Sequence, residues 1–149
     1  MKVKIALGLI LVFAVMQLFT IERVLYEKPT EQDFILIEKP NQNVELLLKN
    51  VCYDCHSNQV KYPWYSGVAP FSWIVNDHIE EGREHFNLST WGNYDSGKKE
   101  HKAEEAWEEV AEGEMPLKSY TFIHREANLD HDQVELLVSY FKEIQQQYK

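Results

Sequence analysis

Two cysteines occur in the chain, and a histidine directly follows the second: Cys52-Tyr53-Asp54-Cys55-His56. The spacing C-x-x-C-H is the attachment signature of c-type haem. Each thiol can add across one of the two vinyl groups on a haem edge to give a thioether. On a helical turn, positions i, i+3 and i+4 share one side. Cys52, Cys55 and His56 therefore address one porphyrin, with the His56 imidazole as proximal ligand of the iron. A zinc site would need two further Cys or well-spaced His ligands, and the chain has no second cysteine pair. A thioredoxin-like dithiol belongs after a strand in a βαβ unit, a pattern that does not surround residue 52. One covalently attached haem per chain is the expected cofactor, and a redox dithiol or disulfide is the remaining reading of the pair.

A second axial ligand is sought downstream. Met115 is the one methionine outside the N-terminal segment, and Pro116 follows it. A residue before proline is driven out of the helical region, so Gly113 and Pro116 place Met115 on a loop, where its thioether suits a c-type iron. The alternative for Met115 is to fill a gap in the core. His78, on the apolar face of its helix, is the rival ligand. His124 follows the methionine loop and can support it by hydrogen bonding. His85, His101 and His131 sit in polar contexts and read as solvated. No H-E-x-x-H spacing occurs, which removes the metalloprotease class. Trp64, Tyr65 and Trp73 are expected to wall the haem crevice, with ordinary core packing an equal account of them, and Arg83 reads as a solvated charge rather than a partner of a propionate.

The elements that must position these groups are helical. Val44, Leu47, Leu48 and Val51 recur at i, i+3, i+4 and i+7, so a helix from Asn41 delivers the chain into Cys52. A second helix is predicted over 70–86, with Phe71, Ile74, Val75, His78, Ile79 and Gly82 on one face and Pro70 in its first turn. The polar stretch 87–97 reads as a loop. A third helix over 98–112 buries Ala103, Ala106, Trp107 and Val110 and ends at Gly113. The last begins near Asp130, with Gln133 placed for a capping box. No segment alternates with period two, so the fold class is all-α: a small helical domain of about four helices, over 41–149, with an N-terminal membrane helix.

Upstream, Lys2 and Lys4 precede a run uncharged from Ile5 to Ile21, close to the roughly 17–25 residues that span a bilayer. No small-residue cleavage site ends it, so residues 1–21 read as an uncleaved anchor in preference to a cleaved signal. The lysines keep the N-terminus cytoplasmic and put the domain on the periplasmic side. Residues 22–40, with Pro29 and Pro40 around Phe34-Ile35-Leu36-Ile37, read as an extended tether whose apolar patch docks on the domain surface. The chain carries 24 acidic and 15 basic residues, for a net charge of −9. Nucleic acid is therefore excluded as a partner, and a basic docking partner would be steered in.

Taken together, CYDCHSN (52–58), YPWYSGVAPFSW (62–73), HIEEGREHFNLSTW (78–91) and GEMPLKSY (113–120) with His124 beyond it resemble a family of small exported bacterial haem-binding domains, related in motif to the cytochromes c. The resemblance covers residues 23–145. It implies covalent haem, a helical fold and a location outside the cytoplasm, and it leaves the redox partner undefined; the expected fold is a small cytochrome c-like helical domain, and haem-attachment machinery is an expected partner. The function expected is electron transfer by a membrane-tethered, single-haem domain, ligated by His56 and Met115, that is not an enzyme. The rival expectations are a haem-based sensor with a displaceable sixth ligand and a peroxidase-like enzyme with a distal acid–base group.

Overall fold

The structure is a computed structural model that describes every residue except Thr20, Glu22, Val24 and Leu25. Helices run through it: α1 (Lys2–Met16), α2 (Phe34–Glu38), α3 (Gln42–Leu47), α4 (Tyr53–His56), α5 (Phe71–His85), α6 (Ser96–Glu112), α7 (Lys118–Ile123) and α8 (His131–Tyr148). A π-helical turn over Leu48–Cys52 joins α3 to α4, and 3-10 turns fill Trp64–Gly67, Leu88–Asn93 and Arg125–Ala127. No strand occurs among the described residues. The all-α expectation is met, and the four helices that the apolar periodicity marks are α3 with its π turn, α5, α6 and α8.

Local chemistry sets the boundaries of these helices. The Asn41 side chain accepts from the backbone N–H groups of Asn43 and Val44 at 3.0 and 3.1 Å, starting α3. Asp130 and Gln133 close the expected capping box at the start of α8. Gly113, at φ 73°, takes the left-handed conformation that ends α6.

α6 and α8 pair along their length, and their apolar faces supply Ala103, Val110, Leu137, Phe141 and Ile144 to the core. Val44 and Leu48 close it from the helix that leads into the motif. Two stretches enter this core against expectation. Residues 87–97 contain the 3-10 turn whose Trp91 is fully buried, with its indole N–H donating to Glu38 Oε1. The apolar patch at 34–37 forms α2, and Phe34 lies fully buried against Trp91, ring centroids 5.0 Å apart. From Asp33 onward the supposed tether is therefore part of the packed domain. The tether positions Glu22, Val24 and Leu25 lie outside the described residues.

The expected membrane-spanning helix is also corrected. α1 has 15 residues, which at 1.5 Å per residue reaches roughly 22 Å, short of a hydrocarbon core about 30 Å thick. Among the described residues no helix is long and apolar enough to cross a membrane. Just past its end Gln17 reaches the domain: its side chain donates to Ala69 O at 3.2 Å and accepts from Ala69 N–H at 3.0 Å. α1 itself buries no residue, and its leucines, isoleucines and valines stay exposed around the helix. Thr20, in the last part of the apolar run, lies outside the described residues.

Candidate functional site

The pentapeptide 52–56 is fixed at every position. Cys52 ends the π-helical turn, whose wider ring re-aims the chain, a feature frequent at functional sites. Tyr53 is buried, and its hydroxyl donates at 2.8 Å to Asp33, itself buried. Gln59 Nε2 donates to the other Asp33 oxygen at 2.7 Å. Asp54 accepts from the Tyr120 hydroxyl at 3.0 Å. Ser57 Oγ donates back to Tyr53 O at 2.6 Å, closing the turn. The two inner residues of the motif thus hold its backbone against α2 and α7 and leave the outer three to face elsewhere.

Cys52, Cys55 and His56 face a cavity of about 480 Å³, within the usual size of a small-molecule site. His56 Nδ1 lies 2.8 Å from Gly82 O and 3.0 Å from Phe86 O, at the C-terminal end of α5. A nitrogen between two carbonyls must carry the proton, so Nε2 is the nitrogen with the lone pair. This is the arrangement that orients a metal-ligating imidazole. Burial lowers the pKa of His56, and the neighbouring His85 lowers it further against the two carbonyl bonds, so the ring is neutral as ligation requires. α5 comes this close because residue 82 is glycine. A Cβ there would stand 3.0 Å from Cys55 O. Burial, followed by the charge of its partner thiol, pushes Cys52 up to about 12. Burial first, then Asp54, pushes Cys55 up to about 11. Both remain thiols at neutral pH, unlike the low-pKa thiolate of a redox dithiol, and no disulfide joins them.

Met115 lines the same cavity from the loop between α6 and α7. Its N–H and that of Glu114 both donate to Glu109 O, at 3.1 and 3.0 Å, so the loop folds back over the end of α6. A haem-binding domain model matches residues 11–143 of the chain. The chain belongs to this haem-binding domain family. Comparison with curated proteins and with solved structures gives no match. The residues present suit a haem: a mostly apolar pocket, an imidazole held with Nε2 as its lone-pair nitrogen, two protonated thiols beside it and a thioether on a separate element.

Other residues divide into those in the haem cavity and those outside it. His78 lines the cavity from α5, and so does His85, which sequence patterning assigns to solvent; His85 is exposed at the mouth. His101 and His131 are exposed and pair with Glu105 and Glu135 one turn on. Trp64, Tyr65 and Trp73 are not among the cavity lining, which corrects the expected wall. Trp64 is 89% exposed, Tyr65 bonds His124 at 2.7 Å, and the Trp73 indole donates to Phe19 O at 3.0 Å. The aromatic wall is Phe86, Tyr120 and Phe141. Arg83 donates to Asn58 Oδ1 at 2.9 Å, away from the cavity. Lys102 lines the cavity but is already paired with Glu105. Asp33, Tyr120 and Phe86 escaped the sequence reading because their partners lie 20, 66 and 30 residues away.

Proposed function

We propose that this haem-binding domain attaches one haem covalently through Cys52 and Cys55, ligates its iron with His56 and Met115, and carries electrons outside the cytoplasm. The carrying observation is the convergence of both thiols, the carbonyl-oriented imidazole and the thioether in one cavity. When bound, the haem supplies an iron that alternates between ferric and ferrous states. His56 would hold the iron through Nε2, kept in that tautomer by Gly82 and Phe86. Met115 would be the second ligand, since it enters the cavity from the α6–α7 loop, whereas His78 sits on α5, the helix that backs His56. Phe86, Val110, Leu117 and Phe141 exclude water. An iron saturated by two residues of the chain leaves no site for a substrate, so the role is electron transfer and not catalysis.

The unburied α1, apolar beyond the Lys2 and Lys4 of its first turn, supports export and attachment to the cytoplasmic membrane, with the domain in the periplasm. The acidic charge favours a redox partner with a basic face. Visible and near-infrared spectra of the matured protein test the ligand set. The oxidised protein is expected to be low-spin with the weak far-red band of sulfur–iron(III) ligation. Met115→Ala is expected to remove that band, admit CO to the ferrous form and lower the potential, while His78→Ala leaves all three unchanged. The reverse pattern assigns the sixth position to His78. Rapid CO binding to the unaltered protein favours sensing.

A further inference from the structure

Met115 sits on a loop that is fastened at both ends, and the second fastening runs to the haem motif itself. At its N-terminal end Glu109 O, on the last turn of α6, accepts from the N–H groups of Glu114 and Met115. At its C-terminal end Pro116 and Leu117 lead into α7, a two-turn helix of six residues. A helix this short is marginal without tertiary support. Its support is Tyr120, whose hydroxyl donates at 3.0 Å to Asp54 Oδ2, inside the C-x-x-C-H turn. The Tyr120 ring stacks on His124, centroids 4.4 Å apart and planes 19° from parallel. His124 Nε2 is bonded at 2.7 Å to the Tyr65 hydroxyl, which fixes the far side of the stack. Tyr120 also lines the cavity beside Met115. One side chain therefore ties the segment that follows Met115 to the turn that holds both cysteines and His56.

Building on the haem reading above, we infer that Tyr120 is a positioning residue for the sixth ligand: its bond to Asp54 clasps the Met115 loop shut over the iron. The loop exchanges between a closed form, with the thioether on the iron, and an open form that admits an external ligand. The clasp favours the closed form, because opening at α7 breaks the partly buried bond from Tyr120 to Asp54 and pulls His124, the residue that caps α7, away from Tyr65. An external ligand that needs the open form binds with an apparent affinity reduced by the open fraction. Loosening the clasp must therefore tighten the binding of such a ligand, and only while Met115 is there to compete.

Imidazole titration of the matured, oxidised full-length protein reads this directly. Tyr120→Phe keeps the ring and its stack and deletes only the hydroxyl. It is expected to raise the apparent affinity for imidazole about tenfold, the effect of losing one partly buried charge-assisted bond, and to weaken the far-red band. In a Met115→Ala background, where no thioether competes, the same substitution is expected to change imidazole affinity less than twofold, so the two effects are coupled. An unchanged affinity for Tyr120→Phe alone overturns the clasp. An equal rise with and without Met115 overturns it too, since Tyr120 would then only shape the pocket. A protein that carries no haem after maturation is recognised by its missing visible spectrum; that outcome removes the haem reading and the clasp together.

Discussion

At the scale of single residues, the site depends on an imidazole made neutral by its surroundings. Burial holds the pKa of His56 below the ordinary imidazole value, which is about 6.5 in the unfolded chain. A lowered folded pKa means that the unfolded state binds the extra proton between those two values. The stabilising contribution is therefore complete above about pH 6.5 and is lost as the pH falls through that value toward the folded one. For haem-free protein the thermal midpoint is expected to drop between pH 7 and pH 5, and His56→Gln is expected to flatten that drop, followed by circular dichroism. Asp54, whose pKa burial raises against its bond to Tyr120, contributes in the opposite sense in both proteins, so their difference isolates His56. The meeting of Cys52, Cys55 and His56 at one cavity was legible in their reactive types and short spacing, and that of Met115 in its place before Pro116 as the one methionine beyond the N-terminal segment. Asp33 and Tyr120 were not, because a lone carboxylate and a lone phenol show no role until the chain brings their partners close.

At the scale of elements, periodicity located the long helices and missed the short ones. α5, α6 and α8 carry apolar stripes long enough to show the helical repeat, and their caps stand in the sequence at Asp130 and Gly113. α2 has five residues, too few to display a period, and the prolines on either side suggest a tether. Its helix forms because Asp33 caps it, accepting from Ile35 N–H at 3.1 Å, and because Phe34 completes a ring cluster with Trp91 and Phe141. The cluster continues through Phe86 to His56, with centroids 5.9 Å apart at Trp91–Phe86 and 6.0 Å at Phe86–His56, so a defect at α2 reaches the ligand. Phe34→Ala is expected to cost about 3–5 kcal/mol, a fall in thermal midpoint of roughly 10 °C in a protein of this size. Differential scanning calorimetry checks it, and a change of a degree or less would return α2 to the status of a surface patch.

At the scale of the whole molecule, a helical domain with an acidic surface is joined to an apolar helix that it does not bury. The run of Ile5–Ile21 suggested a span; the structure ends the helix at Met16, and Gln17 just beyond it bonds Ala69, a contact across 52 residues that no local pattern announces. The domain, by contrast, places its motif, its methionine loop and its helical core around one cavity, which is what covalent haem needs from a chain this small. That claim is tested most directly by the mass of the intact, denatured protein after coexpression with haem-attachment machinery. The expected mass is the polypeptide plus one haem, and the increment is absent when Cys52 and Cys55 are both serine. A mass equal to the bare polypeptide, under conditions where a known c-type protein is loaded, would contradict it.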